Sequence, residues 1–316
     1  MTPPRVTLER VALAARTIDP VFLRSPQFEC EPLSDALGAR LSLKIESVNP
    51  IRSFKGRGAD WLVSRAERGA PLVCASAGNF GQAMAWAGRA RGVPVTVYAS
   101  AHANPLKLER MRQLGATLVL HGDDFDAAKQ EARRVAAARG HRFVEDGYDV
   151  ETLEGAGTIA LEWLERAPFP DVLLVPLGNG ALFNGVATVV KARRPQTRLI
   201  AVQAAGAPAM VESWRAGRVI EHDALHTIAD GIGVRVPIPQ ALDDLRGLAD
   251  DAILVREASI LAAMRLLHRH TGLVAEPSAA VGVAALVEQG AAFRGQSAGT
   301  IICGSNLTPQ QMQEWL

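Results

Sequence analysis

The chain has 316 residues, 48% of them hydrophobic, with 34 Lys plus Arg against 33 Asp plus Glu; this is enough apolar material for two modest cores, and the balanced charge leaves no basic footprint for nucleic acid. Cys30, Cys74 and Cys303 are odd in number and widely spaced, which supports neither a disulfide framework nor a zinc knuckle and predicts a reducing compartment. No basic and apolar leader precedes Arg5-Val6-Thr7-Leu8-Glu9, and no apolar run has the length to cross a bilayer, so the expectation is a cytoplasmic protein with no membrane segment.

The first stretch that carries chemistry is Ser53-Phe54-Lys55-Gly56-Arg57-Gly58-Ala59. Ser53 reads as the N-cap of a helix, and Lys55 then stands where the helix dipole and the neighbouring Arg57 both disfavour its cation. A free amine is what imine formation with an aldehyde needs, although the same lysine alone also fits a solvated surface charge. Next, Leu72-Val73-Cys74-Ala75 reads as a short buried strand running into Ser76-Ala77-Gly78-Asn79-Phe80-Gly81-Gln82 and a helix. Converging N–H groups there make a site for a carboxylate or phosphate, or an ordinary turn capped by Ser76 or Asn79.

Strands over 95–98 and 117–120 precede helices over 107–114 and 127–138, short β-branched runs alternating with Ala-, Leu- and Arg-rich helices. This is the α/β pattern. A third loop follows the apolar run 172–177: Gly178-Asn179-Gly180-Ala181-Leu182 opens the next helix, and its small residues let the backbone close on an oxyanion. A dinucleotide fingerprint would place an acid at the end of the following strand; the residue is Gln203 and the glycine spacing differs, which favours a phosphate monoester. His222 with His226 and His268 with His270 lack the spacing or the third ligand of a metal site.

One lysine able to form an imine, one loop for a carboxylate and one for a phosphate together describe pyridoxal phosphate holding an amino acid. From about Ser25 to the C-terminus the chain resembles the fold-type II pyridoxal phosphate enzymes, and within them the serine/threonine dehydratase and serine racemase group. Further similar segments are 120–126, 154–160, 227–231, Glu276-Pro277-Ser278-Ala279-Ala280 and Cys303-Gly304-Ser305-Asn306. The resemblance implies a two-domain α/β fold of the tryptophan synthase beta type: open, twisted, mostly parallel sheets covered by helices, with the cofactor in the cleft. It places a small mobile substrate-side domain at 71–146 and a discontinuous large domain at 1–70 and 147–316.

By the same resemblance Lys55 is the imine-forming lysine, Phe54 packs near the pyridine ring, Asn79 bonds the phenolic oxygen, and Glu276 lies at the cofactor. Ser76, Ala77, Gly78, Asn79 and Phe80 lie at the substrate, with the first four around its carboxylate. Gly178, Asn179, Gly180, Ala181 and Leu182 take the phosphate, although the family loop has more glycine, so positive φ at Ala181 would be strained. Cys303 faces the pyridine nitrogen, where a neutral thiol makes a weaker electron sink than an aspartate and favours elimination over racemisation. Ala77 lacks the hydroxyl that serine racemases use on the opposite face of the substrate, and Phe80 replaces a common histidine. Gln203 and Ala207 stand near the family's divalent-cation site without its carboxylate, so no essential metal is expected. Gly147-Tyr148 departs from the polar pair expected near the substrate side chain, and Arg57 is assigned to bracing the loop.

The implied activity is β-elimination of a small serine- or threonine-like amino acid to a 2-keto acid and ammonia by a cytoplasmic homodimer that binds neither nucleic acid nor membrane. The alternatives are a β-replacement or threonine-synthase-like enzyme, and a catalytically inactive binding or regulatory protein of the same fold.

Overall fold

Two sheets organise the molecule, each built from buried apolar runs. The computed structural model describes residues 4–166 and 168–316. The strands, in chain order, are β1 (Gln27–Glu29), β2 (Arg40–Ile45), β3 (Leu72–Ala75), β4 (Val95–Ala99), β5 (Thr117–Leu120), β6 (Arg142–Phe143), β7 (Val172–Pro176), β8 (Arg198–Ala204), β9 (Asp251–Val255) and β10 (Ser297–Ile302). The larger sheet runs β1-β2-β10-β7-β8-β9, and the smaller β5-β4-β3-β6. Every pairing is parallel except β1 with β2. All five residues of β7 are buried, as a strand covered by helices on both faces requires.

The larger core gathers β2, β7, β8 and β10 with the helices Val150–Leu164, Ala181–Arg193 and Pro277–Gln289. The second core surrounds β3 and β4, and it also takes Ala14, Ile18, Phe22, Ile51 and the helix Lys55–Ser64 through Ala59, Trp61, Leu62 and Val63. A helix that precedes the smaller sheet in sequence therefore packs into it. The expected helices over 107–114 and 127–138 start earlier, at Pro105–Gln113 and Phe125–Arg139. Asn104 caps the first by accepting from the Leu106 N–H, and Asp124 caps the second by accepting from Ala127.

The ends of β3, β7 and β10 all carry segments singled out in the sequence, namely 76–82, 178–182 and 303–306. Each lies at the C-terminal edge of its own sheet, 76–82 on the smaller and 178–182 and 303–306 on the larger, the edge where ligands bind in α/β folds. Among the described residues no helix is long and apolar enough to cross a membrane.

Candidate active site

Lys55 is positioned by the end of a strand far away in sequence. Ser53 forms a β-bridge with Gly304, and the Phe54 N–H donates to the Cys303 carbonyl at 3.0 Å. Ser53 is thus drawn into the sheet and is not the N-cap expected: the helix starts at Lys55 behind Phe54, which offers no side-chain cap, and Ser53 Oγ accepts only from the Lys55 N–H at 3.3 Å. Lys55 Nζ lies 2.5 Å from Asp146 Oδ2 and 4.5 Å from the centre of the Phe54 ring. Both partners of the ion pair are about 15% exposed (15% and 16%), so the amine is sheltered yet reachable. Phe54, Lys55, Gly58, Ala59, Phe80, Asp146 and Thr152 line one cavity.

Arg57, expected to act on Lys55 by its charge, is occupied elsewhere. It is fully buried and donates to both oxygens of Glu46 and of Glu162 and to Thr158 Oγ1. Burial works against its charge, but Glu46 and Glu162 outweigh it and hold the guanidinium above its ordinary pKa.

The loop after β3 is folded around Ser76, whose Oγ accepts from the Gly78 and Gly81 N–H groups at 3.1 and 3.0 Å. The helix Asn79–Arg91 then begins, with Gly78 as a cap that supplies no side chain, which leaves first-turn N–H groups open to a carboxylate. Phe80 is buried and turns into the Lys55 cavity.

The loop after β7 is tied to Lys55 by a short route. Gly147, next to Asp146, has φ 84°, and a Cβ there would stand 2.3 Å from the Asn179 carbonyl oxygen, so only glycine admits this approach. Asp146 and Asn179 also line one adjoining cavity. Within the loop the left-handed residue is Gly180, φ 89°, while Ala181 already belongs to the helix Ala181–Arg193. The strain anticipated at Ala181 therefore does not arise, and the helix starts with no side-chain cap on its first N–H groups.

Asn79, Glu276 and Asn306 form the third side. Asn79 Nδ2 donates to both Glu276 oxygens, at 3.1 and 2.9 Å; the Asn306 N–H donates to Glu276 Oε1 at 2.6 Å; and Asn306 Nδ2 donates to Asn79 Oδ1 at 2.8 Å. Burial, reinforced by Asp230, pushes the Glu276 carboxyl up to about 6. Burial first and Glu276 second push the Cys303 thiol up to about 12, so it is a neutral group. Gln203 caps a helix, its Oε1 accepting from the Val211 N–H at 3.1 Å. Tyr148 is exposed, and its carbonyl accepts from Arg5.

Asp146 and the amide of Asn306 were missed as site residues. Asn306 stands in a segment already noted for its resemblance, so its place could have been read; Asp146 meets Lys55 across 91 positions of chain, and no local pattern announces it.

A family model described as pyridoxal-phosphate dependent enzyme matches residues 18–304. An L-threonine ammonia-lyase of Thermotoga maritima is 34% identical over 96% of this chain and 76% of its own length. A phenylserine dehydratase of Ralstonia pickettii is 32% identical, over 89% of this chain and 87% of that one. Among solved structures, a threonine deaminase from T.th. is similar with a TM-score of 0.90 at 32% identity, covering 96% of this chain and 99% of that one. Maize serine racemase gives 0.91 at 27% identity, covering 98% and 96%.

Proposed function

The chain belongs to the pyridoxal-phosphate dependent enzyme family, whose cofactor is pyridoxal 5'-phosphate, and on that footing we propose that it is an ammonia-lyase that converts a serine- or threonine-like amino acid to a 2-keto acid and ammonia by β-elimination. The observation that carries the reading is the sheltered Lys55 amine, which shares a cavity with Phe80 of the helix Asn79–Arg91 and pairs with Asp146, itself in an adjoining cavity with Asn179 of the loop before the helix Ala181–Arg193. The residues fit the cofactor. Gly180 opens the loop, the first N–H groups of the helix behind it are free for a phosphate, and Ser278 Oγ and Asp146 Oδ1 are buried polar atoms without a partner among the described residues.

In this reading Gly178, Asn179, Gly180, Ala181 and Leu182 hold the phosphate, and Phe54, Asn79, Glu276 and Cys303 surround the ring. The bound group supplies an electron sink for charge developing at the substrate α-carbon. The 76–80 segment orients the substrate carboxylate. Lys55 Nζ, as a free amine, would take the α proton of the substrate, and the β-substituent would leave with its electron pair. A neutral Cys303 thiol at the ring nitrogen would put no full charge on it, which would favour prompt loss of the β-substituent over reprotonation. Phenylserine dehydratase and threonine ammonia-lyase, both enzymes of this outcome by name, support the reaction class.

We take 71–146 as the smaller, substrate-side domain and 1–70 with 147–316 as the larger. The cytoplasmic homodimer belongs to the same reading and rests on the family resemblance. Incubation of the yellow, cofactor-loaded protein with L-serine, L-threonine and phenylserine is expected to release equal amounts of 2-keto acid and ammonia from at least one. Loss of the β-substituent without ammonia, or no product from any of the three, would overturn the reading.

A further inference from the structure

The Asp146 carboxylate touches the amine on which that chemistry turns: Oδ2 lies 2.5 Å from Lys55 Nζ, while Oδ1 is buried and has no hydrogen-bond partner among the described residues. Leaving a buried acceptor unmade is unfavourable, and more so for a charged group. Both neighbours in the chain hold the carboxylate in this place. Gly147 is wedged against the Asn179 carbonyl and donates its N–H to Thr152 Oγ1 at 3.2 Å. Glu145 is clamped by Lys129 and Arg133, and its N–H donates to Asp149 Oδ2 at 2.7 Å. The backbone on either side of Asp146 is thus held in place. It lines both the cavity with Phe54 and Phe80 and the adjoining one with Ala75 and Phe125.

Once bonded to the cofactor, Nζ no longer offers Asp146 the three donors of an ammonium, which leaves the carboxylate with acceptor capacity to spare. Asp146 lines the same cavity as Lys55 and Phe80, so it stands among the groups a substrate side chain would meet on reaching Nζ. We propose that Asp146 is a specificity-determining residue, accepting a hydrogen bond from the β-substituent, so that the site takes amino acids with a neutral or cationic donor on the β-carbon and rejects those with a carboxylate there. The proposal rests on the ammonia-lyase reading and adds the side-chain class to it. Its physical basis is the unfavourable approach of two like charges in a sheltered site, which acts as selection against the wrong substrate.

L-Asparagine and L-aspartate are near-isosteric, differ in charge and donor capacity at the β-position, and carry no group that is readily eliminated. Their binding to the cofactor-loaded protein is read as a change in its visible absorbance at equilibrium. L-Asparagine is expected to bind about ten-fold more tightly than L-aspartate or better, and Asp146→Asn to bring the two within about three-fold. Equal or absent responses in the wild-type protein overturn the proposal without any variant being made, as does a preference that Asp146→Asn leaves unchanged. Either result together with normal keto-acid release from L-serine or L-threonine sinks the role of Asp146 alone. A protein that gains no visible band, or releases no keto acid from any substrate, sinks the underlying reading.

Discussion

Lys55 and Arg57 stand two residues apart on one helix and meet opposite surroundings. Arg57 is fully buried and its planar fork is saturated: two carboxylates, Glu46 and Glu162, each accept from two of its nitrogens, and the Thr158 hydroxyl accepts from Nη1. Lys55 keeps a single carboxylate and the face of Phe54, in a cavity. The contrast separates a cation that braces a fold from one that is available for chemistry. Burial alone does not distinguish them; completeness of pairing does.

Substitution should divide the two residues cleanly. Lys55→Ala is expected to lower keto-acid release by about a thousand-fold or more and to abolish the visible band, because nothing else at that place can join the cofactor. Its cost in denaturant unfolding should be about 1–3 kcal/mol, below that of Arg57→Met, since a single carboxylate with some access to water loses its partner. Arg57→Met is expected to act mainly on stability, removing about 3–5 kcal/mol by stranding Glu46 and Glu162 in the interior. Wild-type stability in Arg57→Met, or an unfolded Lys55→Ala, would erase the distinction.

The same contrast explains what the sequence makes legible. β3 and β5 coincide with the runs 72–75 and 117–120, because short apolar segments bounded by small polar residues have few other ways to fold. The loops after β3 and β7 were readable for the same reason. The immediate environment of Lys55 was not, because tertiary contacts write it: the end of β10 takes Ser53 out of its capping role, and the loop before the helix Val150–Leu164 brings in Asp146. The charge of Arg57 was visible in the motif, but its direction was not, since Glu46 and Glu162 lie on different elements and cancel it locally.

Buried carboxylates extend the comparison with a smaller effect. Burial works against the ionised form of Glu162, but Arg57 and Lys44 outweigh it and hold the carboxyl below its usual value. Glu276 is buried with only amide donors in direct contact, faces the charge of Asp230, and sits at about 6 against an ordinary 4.5. The signs are therefore opposite. A carboxyl raised in the folded state binds its proton more tightly than in the unfolded chain, so its contribution to stability is complete below about pH 4.5 and is lost as pH rises through about 6. A shift of this size corresponds to about 2 kcal/mol. Denaturant unfolding followed between those pH values should show a fall in wild type that Glu276→Gln lacks, since the amide does not ionise and its oxygen still accepts from Asn306. The difference between the two profiles isolates Glu276 from the other groups that titrate in the same range. Parallel profiles would mean that Asn79 and Asn306 stabilise the ionised carboxylate as fully as an arginine does, and the boundary drawn between saturated and unsaturated charge would have to be moved.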